Sequence, residues 1–169
     1  MCDIDQSLHA LHSFARRNGA SVRYAPLPDC IGGCLDRDQI VLRVGLAPEQ
    51  ELLTLAHELT HVIAHVASVR ASTHRTICEY EAEAVERLIA QRLGFGAPEF
   101  ESFTGELPPF TDGLLAASIT RVCSVASTLL AVLAAREPLA MLRPWSAQRQ
   151  RRAGVAKVAG RRQDRYSDP

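Results

Sequence analysis

Pro48-Glu49-Gln50-Glu51-Leu52-Leu53-Thr54-Leu55-Ala56-His57-Glu58-Leu59-Thr60-His61-Val62-Ile63-Ala64-His65-Val66 is the stretch from which the chain is read. Leu52, Leu53, Leu55, Ala56, Leu59, Val62 and Ile63 recur near helical spacing, so the segment is expected to be a helix with most of its faces buried. Pro48 suits the first turn, and Glu49 and Glu51 place carboxylates near the positive end of the helix dipole. Within that frame His57-Glu58-Leu59-Thr60-His61 is an HExxH motif. Histidines four residues apart project from one helix face and can share a tetrahedral Zn²⁺, with Glu58 beside the position they leave open. A lone buried histidine is ordinarily satisfied by one hydrogen bond, but two bracketing a glutamate at this spacing read as metal ligands. His65 continues the face another turn, past the metal, and reads as a packing or supporting residue. His9, His12 and His74 lack metal-ligand spacing and are assigned no role.

A catalytic zinc takes three protein ligands and keeps one position open, so a carboxylate or histidine should arrive on a second helix. Residues 78–94 supply that helix, with Gly94 as its C-cap and Ala82, Val85, Leu88, Ile89 and Leu93 as a core stripe. Glu79 and Glu83 lie four apart on one face, and Glu81 points away from them. Two stacked carboxylates beside a zinc divide into one ligand and one acid that holds the outer N–H of a ligand histidine. Glu81 and Glu86 are expected on a solvated face.

These residues resemble a known family. His57-Glu58-Leu59-Thr60-His61, followed by Glu79-x-Glu81-Ala82-Glu83-Ala84, is similar to the ImmA/IrrE metallopeptidases and to the zincin domains of ArdC-type antirestriction proteins. Upstream, residues 15–24 resemble that family's first helix turning into a strand. Leu27-Pro28-Asp29, Gly32-Gly33 and residues 36–44 resemble the hairpin before its active-site helix. The resemblance fades after about Leu107. It implies a small gluzincin-like fold, Glu79 as third metal ligand, and Glu83 as support for a histidine. Because the supporting position holds Glu where the family often has Asn or Asp, Glu79 and Glu83 can exchange these roles.

The chemistry implied is peptide hydrolysis. Zinc would bring the pKa of a bound water towards about 7, and Glu58 would take its proton and deliver it to the leaving amine. Tyr80, His74 and Arg70 are candidate donors to the oxyanion, none of them favoured by spacing.

At 169 residues and 47% hydrophobic content, the chain suits one packed domain. Formal net charge is zero but unevenly spread: residues 143–165 hold eight basic side chains and one acid, whereas residues 1–142 hold 11 basic and 17 acidic. We therefore divide the chain into a zincin-like domain, 1–142, and a basic, disordered C-terminal tail, 143–169. The tail is read mainly as a solvated extension, with contact to nucleic acid or an acidic partner as the alternative. The N-terminus lacks a basic and apolar leader, and no apolar run is expected to reach the roughly 20 residues that span a bilayer. This places the protein in the cytosol and away from membranes. Cys2, Cys30, Cys34, Cys78 and Cys123 are odd in number without C-x-x-C spacing, as expected of reduced thiols. Cys30-Ile31-Gly32-Gly33-Cys34 reads as a glycine turn with incidental thiols.

Along the chain, a helix is expected at residues 4–18, strands at 21–25, 31–35 and 39–44, and a turn at Asp36-Arg37-Asp38. The motif helix and the glutamate helix follow, then a loop at 94–113 and an apolar helix at 114–136, too short and too polar for a membrane span. The fold class is α+β, a short twisted sheet with helices packed on it and a cleft between the sheet edge and the motif helix. An extended peptide adding to that edge would gain main-chain affinity with little sequence selectivity.

Three functions are compatible. The leading one is a zinc endopeptidase acting on a specific protein partner, which the resemblance suggests is a DNA-binding transcriptional repressor. The others are a non-catalytic regulatory module stabilised by zinc, and a nucleic-acid-associated accessory protein of a mobile element contacting its target through the arginine tail. No helix-turn-helix is evident, so a repressor substrate would be a separate protein.

Overall fold

The computed structural model describes residues 3–65, 73–96 and 111–135. The chain divides into two units, Met1–Pro138 and Leu139–Pro169. The second unit, and with it the basic tail expected from residue 143, lies outside the described residues, as does most of the loop at 94–113.

The first helix, α1 (Ile4–Arg17), starts where the Asp3 side chain accepts from the Gln6 N–H, and it buries Leu11, Phe14 and Ala15. Asn18 caps it, one residue earlier than the expected end. Three strands follow, β1 (Ser21–Ala25), β2 (Gly33–Asp36) and β3 (Gln39–Arg43), in the spatial order β1-β3-β2. β3 runs parallel to β1, with Ser21 opposite Gln39, and antiparallel to β2, with Asp36 opposite Gln39. Ile40, Val41 and Leu42 are all buried, as befits a central strand covered on both faces. The β2–β3 hairpin turns at Arg37, whose φ is 55°. β2 begins two residues later than expected, because the Ile31 N–H bonds back to the Pro28 carbonyl and closes a turn first.

The motif helix, α2 (Pro48–Ala64), starts at Pro48, and the Gln50 side chain accepts from the Ala47 N–H. Leu52, Leu55, Ala56, Leu59 and Ile63 are almost fully buried. His12 and Glu51 both hydrogen-bond the Tyr24 hydroxyl, tying α1, β1 and α2 together.

The glutamate helix, α3 (Arg75–Leu93), begins three residues before its expected start because the His74 ring accepts from the Thr76 N–H. It ends at Gly94, left-handed at φ 77°, with the Phe95 N–H bonded to the Ala90 carbonyl as in a Schellman close. Its buried face differs from the expected one. Cys78, Ala82, Val85 and Ile89 form the stripe, Leu88 is exposed, and Glu81 and Glu86 are buried at 4% and 7% exposure. The solvated face expected for these two acids is thus wrong. They flank the stripe at helical spacing; Glu86 meets His57 of α2, and Glu81 meets His65 at that helix's C-cap.

The last described helix, α4 (Asp112–Ala134), begins with Thr111 accepting from the Leu114 N–H. At 23 residues, with a mean hydropathy of 1.7 in its most apolar window, it is long and apolar enough by those measures to cross a bilayer. That corrects the expectation that no run reaches such a length. Its Ser118, Val125, Ala126, Leu129 and Val132 are nevertheless buried, and it packs on α3, α1 and α2. Four helices and one three-stranded sheet among the described residues make an α+β domain of the expected gluzincin-like kind.

Candidate metal centre

α2 presents His57 and His61 towards α3, where Glu79 meets them. The Nε2 atoms of His57 and His61 are 3.2 Å apart, and Glu79 Oε2 lies 3.6 Å from the first and 3.3 Å from the second. Two donors each about 2.1 Å from a tetrahedral ion stand about 3.4 Å from one another, so this triangle has the size such an ion needs. Among the described residues these three side chains are the group that could hold a metal, their ligand atoms lying within 4.8 Å of one another.

Each imidazole is held from behind. His57 Nδ1 is 3.1 Å from Glu86 Oε2, and His61 Nδ1 is 2.9 Å from His65 Nδ1. His65 is fully buried, with its Nε2 2.9 Å from Glu81 Oε2. Glu81 in turn accepts from the Ser118 hydroxyl and from Arg121, whose Nε is 2.8 Å from Oε2.

The sequence-based candidates are placed as follows. His57, His61 and Glu79 come together. Glu83 stays outside the group, with its carboxylate 3.6 Å from Arg87, and the acid behind His57 is Glu86 instead. A signal for this existed. At about 100° per residue, Glu86 returns to within about 20° of Glu79 on the helix, whereas Glu83 stands about 40° away on the other side. Ser118 and Arg121 gave no signal, because nothing local says which residues meet Glu81 from some forty positions away. Of the candidate oxyanion donors, His74 is committed to capping α3, Tyr80 is half-buried, and Arg70 lies outside the described residues.

Glu58 is buried and lies under β2. A Cβ built on Gly33 would stand 2.8 Å from Thr54 Cγ2 and 3.3 Å from Glu58 Cγ, so only glycine lets the strand pass this close to the helix. Among the described residues β2 is an edge strand of the sheet.

Charge is divided unequally between the two histidines. Burial disfavours a charged His57, but the carboxylates of Glu79, Glu86 and Glu58 outweigh it and push its pKa up to about 10. For His61 burial prevails over Glu79, helped by the neighbouring His57, and its pKa is lowered. The cluster without metal therefore carries one imidazolium, on the ring with more acidic neighbours. Burial also works against the Glu79 carboxylate, yet His57 and His61 hold it well below the ordinary range. Glu81, despite burial, is pulled down to about 2 by Arg121, His65 and Ser118. Burial and nearby Glu58 push the Cys34 thiol up, which does not favour a nucleophilic role. Among the described residues, Cys30, Cys34, Cys78 and Cys123 form no disulfide.

Neither the curated proteins nor the solved structures give a match to this chain. A peptidase family model, described as the IrrE N-terminal-like domain, matches residues 8–100. That span holds most of α1, the sheet, α2 and α3 with the whole His57, His61 and Glu79 group, and on it the chain belongs to the IrrE N-terminal-like family of peptidases.

Proposed function

We propose that the protein is a zinc-dependent endopeptidase that hydrolyses a peptide bond in a specific protein partner, with a transcriptional repressor as the first substrate class to test. The observation that carries the reading is the triangle of two imidazole nitrogens and one carboxylate oxygen, with a buried glutamate adjacent in sequence to one of them. His57, His61 and Glu79 would hold the ion. Two nitrogens and one carboxylate suit zinc in a catalytic site, where three protein ligands leave a position open. When bound, zinc would supply Lewis acidity, lowering the pKa of water and polarising the scissile carbonyl.

The remaining steps fall to side chains of this chain. Glu58 takes the proton of the attacking water and passes it to the leaving amine, a two-way transfer that requires a carboxylate not engaged as a ligand. Its burial beneath β2 keeps bulk water from competing for that proton. Glu86 keeps the His57 ring turned so that Nε2 faces the cluster. The edge of β2, unpaired on its outer side among the described strands, would offer main-chain groups to an extended substrate, whose scissile bond would then lie near Glu58.

Glu58→Gln tests the reading. The variant should bind zinc as the wild type does, about one ion per chain, and lose roughly 10²- to 10⁴-fold in hydrolysis. Undiminished cleavage by Glu58→Gln, or a folded wild type that takes up no zinc, would remove the assignment.

A further inference from the structure

His61 reaches the candidate centre through Nε2, and everything behind its Nδ1 forms one continuous chain of hydrogen bonds. With both imidazoles neutral, the donors and acceptors in that chain run in a single direction. Arg121 only donates, so Glu81 accepts from it, as it also accepts from the Ser118 hydroxyl. The Glu81 carboxylate accepts again from His65 Nε2, which must carry that ring's proton. With one proton so placed, His65 Nδ1 has a lone pair and accepts from His61 Nδ1–H. His61 is left with its lone pair on Nε2, the atom facing Glu79 and His57. With both rings neutral, reversing a link in this chain would put two protons or two lone pairs against each other.

Two features show that the chain is built rather than incidental. His65 is fully buried and Glu81 nearly so, and a buried polar side chain is retained only with partners that satisfy it. The guanidinium of Arg121 also grips Glu81 through two nitrogens, Nε and Nη2, which fixes the carboxylate in position as well as in charge. Arg121 and Ser118 both lie on α4, beyond the residues that match the family.

We propose that His65, Glu81 and Arg121 form a positioning relay that locks His61 in the tautomer able to bind zinc, so that α4 takes part in building the metal centre. The relay rests on the zinc peptidase reading above. Its residues touch neither substrate nor ion; they act through His61. Losing the outer partner of a ligand histidine typically weakens metal binding by roughly 10- to 100-fold.

The test uses the full chain and has two readouts. In the zinc-free protein, long-range ¹H–¹⁵N correlation of the imidazole nitrogens should show His61 as the Nδ1–H tautomer in the wild type and a shift towards Nε2–H in His65→Leu. Zinc titration against a chromophoric chelator should show binding roughly 10- to 100-fold weaker in His65→Leu. Arg121→Met should weaken zinc binding in the same direction, and Arg121→Lys, which keeps the charge, should recover most of the loss. A folded His65→Leu with wild-type tautomer and zinc affinity overturns the relay. If that variant fails to fold, the Arg121 pair decides, and affinities equal to the wild type in both overturn it. The two readings separate cleanly. Zinc binding and hydrolysis by the wild type with indifferent variants sinks the relay alone, whereas a wild type that binds no zinc sinks the zinc assignment and the relay with it.

Discussion

His57 and His61 are one helical turn apart in sequence and unequal in chemistry. His57 faces the Glu79 and Glu86 carboxylates and, with its pKa pushed up to about 10, is charged at neutral pH without metal, while burial keeps the pKa of His61 low. A metal ion needs the His57 lone pair, so binding must expel a proton. Below pH 10 the zinc affinity should therefore rise with pH, by about tenfold per unit for one displaced proton. Calorimetric titrations in buffers of different ionisation enthalpy should count about one proton released near pH 7, and a count of zero would place the charge elsewhere. The same shift bears on the metal-free fold. A raised pKa means that the folded form holds the proton more tightly, so this stabilisation is complete below about pH 6.5 and disappears as pH rises through about 10. The ligand pair itself was legible in the sequence, since four-residue spacing on a helix fixes a shared face. Glu86 was hidden only by the habit of sending charge to solvent. The burial of Glu81 was not legible, because its counter-charge comes from a distant helix.

β2 and α2 approach each other closely at Gly33, and the glycine is what permits it. A methyl group there would meet Thr54 Cγ2 at 2.8 Å, the Val41 carbonyl oxygen at 3.2 Å and Glu58 Cγ at 3.3 Å. The carbonyl belongs to the central strand and cannot give way without disturbing the sheet. Gly33→Ala should thus push β2 off α2 and cost about 1–3 kcal/mol in stability, the usual range for overpacking. Because the displaced strand is the one over Glu58, hydrolysis should fall by more than the loss of folded protein explains. Denaturant melts beside turnover per folded molecule check this, and a variant unchanged in both would show that the strand has slack. Helix starts and stops were partly legible, from Pro48 at the start of α2 and Gly94 at the end of α3. The start of α3 was missed because a histidine ring caps it, and the start of β2 because the turn at Pro28 runs on to Ile31.

At the scale of the molecule, the α+β architecture was legible from hydrophobic periodicity, whereas the arrangement of α3 and α4 was not, because a partly buried ion pair joins them. Glu81 has its pKa pulled from 4.5 down to about 2. A depressed pKa means that the folded form favours the carboxylate, so the stabilisation is fully present above about pH 4.5 and is lost as pH falls through about 2. The shift corresponds to at most on the order of 3 kcal/mol. Melting temperatures of the zinc-free protein should fall across that window in the wild type and fall less steeply in Glu81→Gln, whereas parallel curves would assign the acid sensitivity to other groups. The position of Arg121 has a further consequence. Likeness to the family stops at residue 100, but the cation that pairs with the buried Glu81 comes only at residue 121. What is shared with relatives and what can stand alone are therefore different lengths of chain. An excision at the boundary of resemblance would strand a buried anion, and any other C-terminal helix joined to this core would have to bring a cation to the same spot.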